Sequence, residues 1–329
     1  MLEHGGNLNA ISRQYDRADA DWIDLSTGIN PNGWPVPDKL PESVWSQLPQ
    51  NDDGLLSTAQ KYYQCDSLLA VSGSQAAIQN LPHCRAHSRV GVLSPAYAEH
   101  QYAWQQAGHE IVIVDPLTID DHISSLDVLI IINPNNPTGQ LFSQEQLREW
   151  HQQLAQREGW LIVDEAFIDV SPEYSLSTDC PQEGLIVLRS IGKFFGLAGL
   201  RVGFVLAEKR LLDLLAEHLG PWPIANASRY LCQLALADTQ WQETTRHSLK
   251  QQSLRLMTLL SNSGFQDISG CALFQWSKTE NVQQIHQQLA SQGIYTRLFT
   301  QPKSLRFGLA KTETQWQRLE SALQGLSVL

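Results

Sequence analysis

The chain has 329 residues, of which 42% are hydrophobic and 17% are charged. Both fractions are ordinary for a globular protein, and the length allows one large domain and a smaller one, each with its own core. The formal net charge is −11, which argues against a nucleic-acid or anionic-membrane surface because either would need a basic patch. No stretch approaches the roughly 18 apolar residues of a membrane span.

The first ten residues and the cysteines bear on the compartment. The segment MLEHGGNLNA contains no apolar core of a secretion signal, so we expect a cytoplasmic protein. The five cysteines lack any CxxC spacing, which favours reduced thiols; they are Cys65, Cys84, Cys180, Cys232 and Cys271. His83, Cys84 and His87 suggest a metal, but no second ligand cluster lies at a useful spacing, and we predict no metal site.

The predicted elements begin with an arm. Residues 1–40 are rich in proline and glycine and include TGINPNGWP, and we predict that this arm packs on the C-terminal domain. A large domain is predicted over residues 41–222, where apolar runs alternate with helical patterns; the runs are LLAV, RVGVL, EIVIV, DVLIIIN, WLIVDEAF, LIVLRS and VGFVLA. Apolar runs of this kind indicate strands buried on both faces, which predicts a three-layer α/β domain with a mostly parallel sheet.

The pattern changes after the proline-rich segment GPWPIAN. A helical stretch over about 224–263 is followed by CALFQW, a helix, IYTRLF, SLRFGLA and a last helix. Because helices and strands no longer alternate regularly, we predict a separate small α+β domain over residues 223–329.

Polar residues follow the predicted strands, where ligands of an open α/β sheet bind. They are Ser72, Gly73, Ser74 and Gln75 after LLAV, Tyr97 after RVGVL, Asn136 after DVLIIIN, Asp164 in WLIVDEAF, and Ser190, Lys193 and Arg201 around SIGKFFGLAGLRVG. A lysine between two buried strands is costly unless its charge is paired or chemically used. A lysine, an acid, an amide, an aromatic ring and a phosphate-ready helix start match the groups of pyridoxal phosphate.

Three motifs, NPNNPTG, VDEAF and SIGKFFGLAGLRVGF, resemble in order and spacing those of the fold-type I aminotransferase superfamily. The resemblance spans nearly the whole chain and implies pyridoxal 5'-phosphate as cofactor and a homodimer. It implies that Lys193 forms the Schiff base, that Asp164 keeps the pyridine nitrogen protonated, and that Asn136 binds the ring hydroxyl. Tyr97 would stack on the ring, and the phosphate would be held by Gly73, Ser74, Gln75, Ser190 and Arg201.

Two positions depart from the superfamily pattern. Phe167 stands where many relatives have a tyrosine, so one hydrogen bond to the ring hydroxyl is missing. Leu48 stands where relatives direct a tyrosine to the partner subunit's cofactor phosphate. Both departures weaken a direct transfer of aminotransferase kinetics, though not of cofactor binding.

The segments EHGGNL and DLSTGINPNGWP resemble those of the L-threonine-O-3-phosphate decarboxylases of cobalamin biosynthesis, a family close to the histidinol-phosphate aminotransferases. This implies a carbon–carbon lyase that converts L-threonine O-3-phosphate to (R)-1-amino-2-propanol O-2-phosphate and carbon dioxide. The substrate pocket would then be lined by His4, Gly5, Asn30, Asn136, Arg297 and Arg306. Arginine forks suit carboxylate and phosphate. Because SLRFGLA resembles the carboxylate-arginine segment of the superfamily, we expect Arg306 to bind the carboxylate and Arg297 the phosphate.

Other interpretations stay open at the level of sequence. Arg297 can also be read as a surface residue of its strand. The chief alternative activity is that of a histidinol-phosphate or other amino-acid aminotransferase. A catalytically silent binding module is a third, less favoured reading, because Lys193 and Asp164 are both present and no DNA-binding extension is seen.

Overall fold

The computed structural model describes residues 4–326. The strands in this range are β1 (Ile23–Asp24), β2 (Leu68–Val71), β3 (Arg89–Leu93), β4 (Glu110–Val114), β5 (Val128–Ile132), β6 (Trp160–Asp164), β7 (Leu185–Ser190), β8 (Gly203–Leu206), β9 (Ser269–Cys271), β10 (Phe274–Lys278), β11 (Ile294–Tyr295), β12 (Arg297–Thr300) and β13 (Lys303–Gly308). The helices are α1 (Leu8–Gln14), α2 (Ser43–Ser46), α3 (Leu55–Tyr63), α4 (Ser74–Asn80), α5 (Ala98–Gln106), α6 (Ile119–His122), α7 (Gln144–Ala155), α8 (Lys209–Leu219), α9 (Asn226–Ala237), α10 (Thr239–Asn262), α11 (Val282–Ser291) and α12 (Glu313–Gln324).

The chain forms two compact units. Unit 1 consists of the residues up to Asn32, of Pro137–Gln140 and of the residues from Thr245 onward. Unit 2 consists of Gly33–Asn136 and Leu141–Thr244. The domain limits expected from the sequence, at residues 40/41 and 222/223, stay predictions.

Unit 2 is built on one seven-stranded sheet of order β2-β8-β7-β6-β5-β3-β4. Strands β7, β6, β5, β3 and β4 are parallel, and β8 runs antiparallel to both β7 and β2. Side chains such as Val90, Val128, Ile162 and Ile186 are buried in one core on this sheet. The predicted mostly parallel α/β fold is confirmed, and its parallel strands end at one common edge.

Unit 1 contains an antiparallel sheet of order β12-β13-β10-β9. The N-terminal segment belongs to the same unit: β1 pairs in parallel with β11 in a separate two-stranded sheet, and the Gly308 N–H of β13 donates to the Leu25 carbonyl at 2.7 Å. In the sheet, Arg306 of β13 lies opposite Arg297 of β12 and Trp276 of β10. Directly opposed residues in antiparallel strands project from the same face, so the two arginines share one face of this sheet.

The predicted helical stretch over 224–263 is two helices, α9 and α10. Asp238 separates them, and its carboxylate accepts hydrogen bonds from the Trp241 N–H at 3.0 Å and from Trp34 Nε1 at 3.0 Å. This carboxylate caps the first turn of α10, which starts a new helix without interrupting the apolar periodicity. At the start of α7, the Ser143 hydroxyl accepts from the Gln146 N–H at 3.2 Å and so caps the helix.

The structure of residues 4–326 also bears on the membrane and on the cysteines. None of the helices in this range combines enough length and apolar character to cross a membrane. The five cysteines form no disulfide with one another, and Cys65, Cys180 and Cys232 are buried.

Candidate active site

A cavity of about 140 Å³, open to solvent, lies at the carboxyl edge of the unit 2 sheet. All of the predicted cofactor residues except Gly73 line it, namely Ser74, Gln75, Tyr97, Asn136, Asp164, Ser190, Lys193 and Arg201. Gly73 directly precedes α4 and borders the same site. Most of these residues follow a parallel strand or begin the helix after it, at the edge where the parallel strands end. Arg201 instead precedes β8, whose antiparallel direction puts its start at the same edge.

Asp164 ends β6 and is only 3% exposed. Its Oδ2 atom lies 2.9 Å from Nε2 of the buried His100, and its Oδ1 atom accepts a hydrogen bond from the Ala166 N–H at 3.0 Å. His100 is a site residue that the sequence analysis missed. The available signal was its spacing, because it follows Tyr97, the N-cap of α5, by one helical turn.

Lys193 lies on the turn after β7 and is half-buried. Its Nζ atom is 5.2 Å from the ring centroid of Phe167, which is itself 5% exposed. An aromatic face attracts an ammonium group modestly and at the same time keeps water from that side. The phenylalanine that replaces the expected tyrosine therefore forms an apolar wall beside the lysine.

A second end of the cavity is formed by the turn before α4 and by Arg201. Gly73 has φ +75°, and a Cβ there would lie 2.7 Å from Arg201 Nη2. The guanidinium thus lies directly against the glycine backbone, and any larger residue would displace it. With the Ser190 hydroxyl on the same cavity, this end offers a cation, a hydroxyl and backbone N–H groups, the donors that suit a phosphate.

Gln75, which was expected to help hold the phosphate, lies on the cavity with its amide bonded to two other side chains. Its amide Nε2 donates to Glu99 Oε2 at 2.7 Å, and its Oε1 accepts from the Tyr97 hydroxyl at 3.2 Å. The carboxylate orients the amide, and the amide orients the phenol. Gln75 therefore lies on the cavity as a support of the Tyr97 ring, and its role as a phosphate ligand stays a prediction.

Behind the cavity, Arg189 of β7 is buried with two carboxylates. Its guanidinium donates to Glu165 Oε2 at 3.0 Å and to Asp169 Oδ1, and Ser175 and Tyr62 bond the same carboxylates. Burial raises the pKa of Glu165, an effect that the Arg189 charge opposes. Burial lowers the pKa of Arg189, but the carboxylates Asp169 and Glu165 outweigh this and leave it raised. This cluster joins the residues next to Asp164 and Ser190 in neighbouring strands.

The predicted substrate arginines belong to unit 1. Arg306 is 5% exposed, and its Nη2 donates to the Ser26 carbonyl at 2.5 Å. Its guanidinium carbon lies 5.1 Å from the Phe274 ring centroid. Arg297 is half-buried, with its guanidinium carbon 5.3 Å from the Phe299 ring centroid. Both guanidiniums are thus partly desolvated, which strengthens their attraction for an anion.

The other predicted substrate residues divide between the units. Asn30 is 3% exposed and its Oδ1 accepts from the Asn32 N–H at 2.9 Å. Gly5 lies against the Ser26 backbone, and His4, which precedes it, is exposed. These residues belong to unit 1, whereas Asn136 lines the cavity of unit 2.

The residues of the cavity fit pyridoxal phosphate. Its aldehyde needs an amine, its ring nitrogen a carboxylate, its hydroxyl a hydrogen-bond donor and its phosphate a cation with further donors. Lys193, Asp164, Asn136 and Arg201 supply these groups, and Tyr97 supplies an aromatic face. One cavity thus holds a partner for each functional group of this cofactor.

Comparisons with known proteins agree with this geometry. The model of the family described as aminotransferase class I and II matches residues 21–323. The chain is 50% identical to a threonine-phosphate decarboxylase of Pseudomonas aeruginosa over 325 residues, which cover 99% of this chain and 98% of the relative. It is 35% identical to a threonine-phosphate decarboxylase of a Sinorhizobium species, over 98% of this chain and 97% of the relative. Its fold is similar to that of the histidinol-phosphate aminotransferase from Clostridium acetobutylicum, with TM-score 0.80, 23% identity, and coverage of 92% of this chain and 98% of that one.

Proposed function

Because the chain belongs to the aminotransferase class I and II family, we propose that it is a pyridoxal-phosphate-dependent carbon–carbon lyase. It decarboxylates L-threonine O-3-phosphate to (R)-1-amino-2-propanol O-2-phosphate. The observation that supports this most is the 50% identity, over 99% of the chain, to a threonine-phosphate decarboxylase. The matching cavity, with a lysine and a buried carboxylate, supports the use of the cofactor.

Bound pyridoxal phosphate supplies a ring that accepts the electron pair left on the substrate α-carbon when carbon dioxide departs. In the proposal, Lys193 holds the cofactor covalently through Nζ. Asn136 donates to the ring hydroxyl, and the Tyr97 ring covers one face. The phosphate is held by Arg201, Ser190 and the backbone of Gly73 and Ser74, with Gln75 supporting Tyr97.

Asp164 provides the negative charge that keeps a proton on the ring nitrogen. His100 at 2.9 Å holds the Asp164 carboxylate in one orientation, and the Ala166 N–H fixes its second oxygen. A carboxylate held in this way favours a protonated ring nitrogen. The protonated ring would withdraw electrons more strongly from the substrate. In the proposal, the Lys193 amine, which lines the same cavity, returns a proton to the substrate α-carbon.

The two arginines of the unit 1 sheet account for a doubly anionic substrate. In the proposal, Arg306 binds the carboxylate and Arg297 binds the phosphate, with His4, Gly5 and Asn30 also at the substrate. Their shared sheet face and partial burial support this assignment. The proposal also includes a role in cobalamin biosynthesis, a cytoplasmic location and a homodimer.

The test is to incubate the full-length protein with pyridoxal phosphate and L-threonine O-3-phosphate, without any 2-oxoacid. We expect release of carbon dioxide and of the amino-propanol phosphate, and no release from the Lys193→Ala variant. The alternative, a histidinol-phosphate or other aminotransferase, has weaker support: a fold similar to that of the solved aminotransferase, and sequence similarity to histidinol-phosphate aminotransferases of 33% identity over 45% of the chain and 29% over 70%. Amino-group transfer that requires a 2-oxoacid, with no carbon dioxide released, would establish that alternative instead.

A further inference from the structure

The HGG segment, residues 4–6, lies directly on the peptide of Ser26. The Gly6 N–H donates to Ser26 Oγ at 2.7 Å. A Cβ at Gly5 would overlap the Ser26 carbonyl oxygen, and Gly6 has φ +81°, in the left-handed region. Glycine is therefore required at both positions, at Gly5 by close backbone approach and at Gly6 by backbone conformation.

The Ser26 hydroxyl is held in one orientation. It donates to Asp24 Oδ1 at 2.6 Å, and the Ser26 N–H donates to the same oxygen at 2.8 Å. A hydroxyl has a single proton, so once this proton is given to Asp24 a lone pair faces the Gly6 N–H. Ser26 is fully buried, which makes an unpaired donor or acceptor there costly.

The other side of the same peptide holds Arg306. Its Nη2 donates to the Ser26 carbonyl at 2.5 Å, and its guanidinium packs on Phe274. The Ser26 carbonyl is thus both the group against which Gly5 packs and the backbone acceptor of Arg306. A shift of the Ser26 peptide would therefore move two things together: the backbone against which the HGG segment packs, and the Arg306 guanidinium.

We propose that Ser26 is a positioning residue that couples the HGG segment to Arg306. Its hydroxyl holds the segment, and its carbonyl sets the direction of the guanidinium. Coupling of this kind is reciprocal: an anion on Arg306 steadies the HGG segment, and displacement of the segment weakens the anion site. The role in substrate binding rests on the proposed function, because it takes Arg306 to bind the substrate carboxylate.

The coupling itself is measured without activity, by hydrogen–deuterium exchange of the peptide that contains residues 4–7. The full-length protein loaded with pyridoxal phosphate is used. We expect about tenfold faster exchange in Ser26→Ala and in Gly5→Ala, the change that loss of one net hydrogen bond produces. Arg306→Gln should also accelerate this exchange. Asn7→Ala is the matched control and should not, because the Asn7 side chain makes no capping hydrogen bond.

The consequence for the reaction is read from kinetics with L-threonine O-3-phosphate. Ser26→Ala and Gly5→Ala should raise KM about tenfold and leave kcat within about twofold, because the cavity with Lys193 and Asp164 is unchanged. In the unaltered protein, the substrate should slow exchange of residues 4–7. A merely structural role of Ser26 would lower the amount of folded protein without this split between KM and kcat.

Gly5→Ala tests the proposal even if Ser26→Ala does not fold, because it keeps the Ser26 hydroxyl and adds a Cβ that meets the Ser26 carbonyl oxygen. Wild-type exchange and wild-type KM in Gly5→Ala would overturn the proposal. If exchange of residues 4–7 is faster in Gly5→Ala but unchanged in Arg306→Gln, the coupling to Arg306 is refuted, although the packing of the HGG segment on Ser26 still stands. If the unaltered protein does not release carbon dioxide from L-threonine O-3-phosphate, the proposed function fails, and the Arg306→Gln exchange experiment still judges the coupling.

Discussion

Lys193 is half-buried beside the Phe167 ring, at 5.2 Å from its centroid, and lines the cavity that fits the cofactor. We predict that Lys193→Ala abolishes covalent attachment of pyridoxal phosphate, because no other amine of the chain lines this cavity within residues 4–326. The measurement is borohydride reduction followed by denaturation and detection of the retained label. Lys209→Ala, whose amine pairs with Asp213 on the surface, serves as the control and should keep the label. Equal labelling of both variants would show that another residue holds the cofactor.

Asp164 and His100 form the buried pair of the site. Asp164→Asn removes the charge that keeps the ring nitrogen protonated, and we expect kcat to fall about 100-fold or more while the cofactor remains bound. His100→Gln should lower kcat less, because the carboxylate loses an orienting partner but keeps its charge. Absorbance of the bound cofactor confirms loading, and stopped assays of carbon dioxide give kcat. Turnover of Asp164→Asn close to that of the unaltered protein would contradict this role.

At the scale of elements, strands β12 and β13 bring Arg297 and Arg306 to one sheet face. The two strands differ in how they hold these arginines, since Arg306 is buried against Ser26 and Phe274 whereas Arg297 is half-buried. His286 lies near Arg297. Its own burial lowers its pKa, and the positive charge of Arg297 lowers it further. The register of β12 and β13 therefore places the two arginines opposite each other. The packing around each strand determines how exposed its arginine is.

From this arrangement we predict that Arg297→Ala and Arg306→Ala differ in selectivity. Truncating one partner of a desolvated charge pair costs about 3 kcal/mol, so each variant should lose transition-state binding by that order. Arg297→Ala should impair the reaction of L-threonine O-3-phosphate and leave any weak reaction of L-threonine nearly unchanged. Arg306→Ala should impair both. The measurement is kcat/KM for the two substrates, and an equal loss on both in Arg297→Ala would rule it out as the phosphate ligand.

At the scale of the whole molecule, the Arg189 cluster links three segments of unit 2 through buried charges. Glu165, Asp169 and Ser175 lie in the connection between β6 and β7, and Arg189 belongs to β7. The Arg189 guanidinium also lies 4.6 Å from the ring centroid of Tyr63 in α3. Breaking a buried ion pair by removing one partner leaves an uncompensated buried charge, which is strongly destabilising.

We predict that Arg189→Met lowers the free energy of unfolding by about 3–5 kcal/mol, and that the loss is larger at pH 8 than at pH 5. Burial raises the pKa of Glu165, and removal of Arg189 would raise it further. An acid whose folded-state pKa lies above its unfolded value stabilises the fold below the unfolded pKa and loses that contribution as pH rises through the folded pKa. The variant therefore loses stability with rising pH relative to the unaltered protein.

The measurement is urea unfolding of both proteins at the two pH values. Arg148→Met is the control, because Arg148 pairs with Asp179 with 44% of its side chain exposed and should cost less than about 1 kcal/mol. A deficit of Arg189→Met that is constant with pH, or larger at pH 5, would show that the buried carboxylates do not govern it.

Much of the fold could be read from local pattern. Each apolar run in the first two thirds of the chain is a strand of the unit 2 sheet. Inner strands such as β5 and β6 are continuously apolar because they are buried on both faces, whereas the edge strand β4 is partly exposed, with Ile113 50% exposed. The break at Asp238 was not predicted, because a helix cap changes the backbone without changing the apolar spacing. The candidate site residues were chosen because they follow predicted strands. They lie together in the structure because parallel strands end at one edge of the sheet.

The sequence by itself determined the order of the strands' apolar runs, the residues at their carboxyl ends and the family motifs, since these depend on neighbours in the chain. Only the tertiary structure decided which side chains meet. His100 and Asp164 are 64 residues apart, and Ser26 and Arg306 are 280 residues apart. Neither contact can be recognised from a local pattern in the sequence. Gln75 likewise supports Tyr97 because Glu99 captures its amide, a partnership between two helices that only their packing creates.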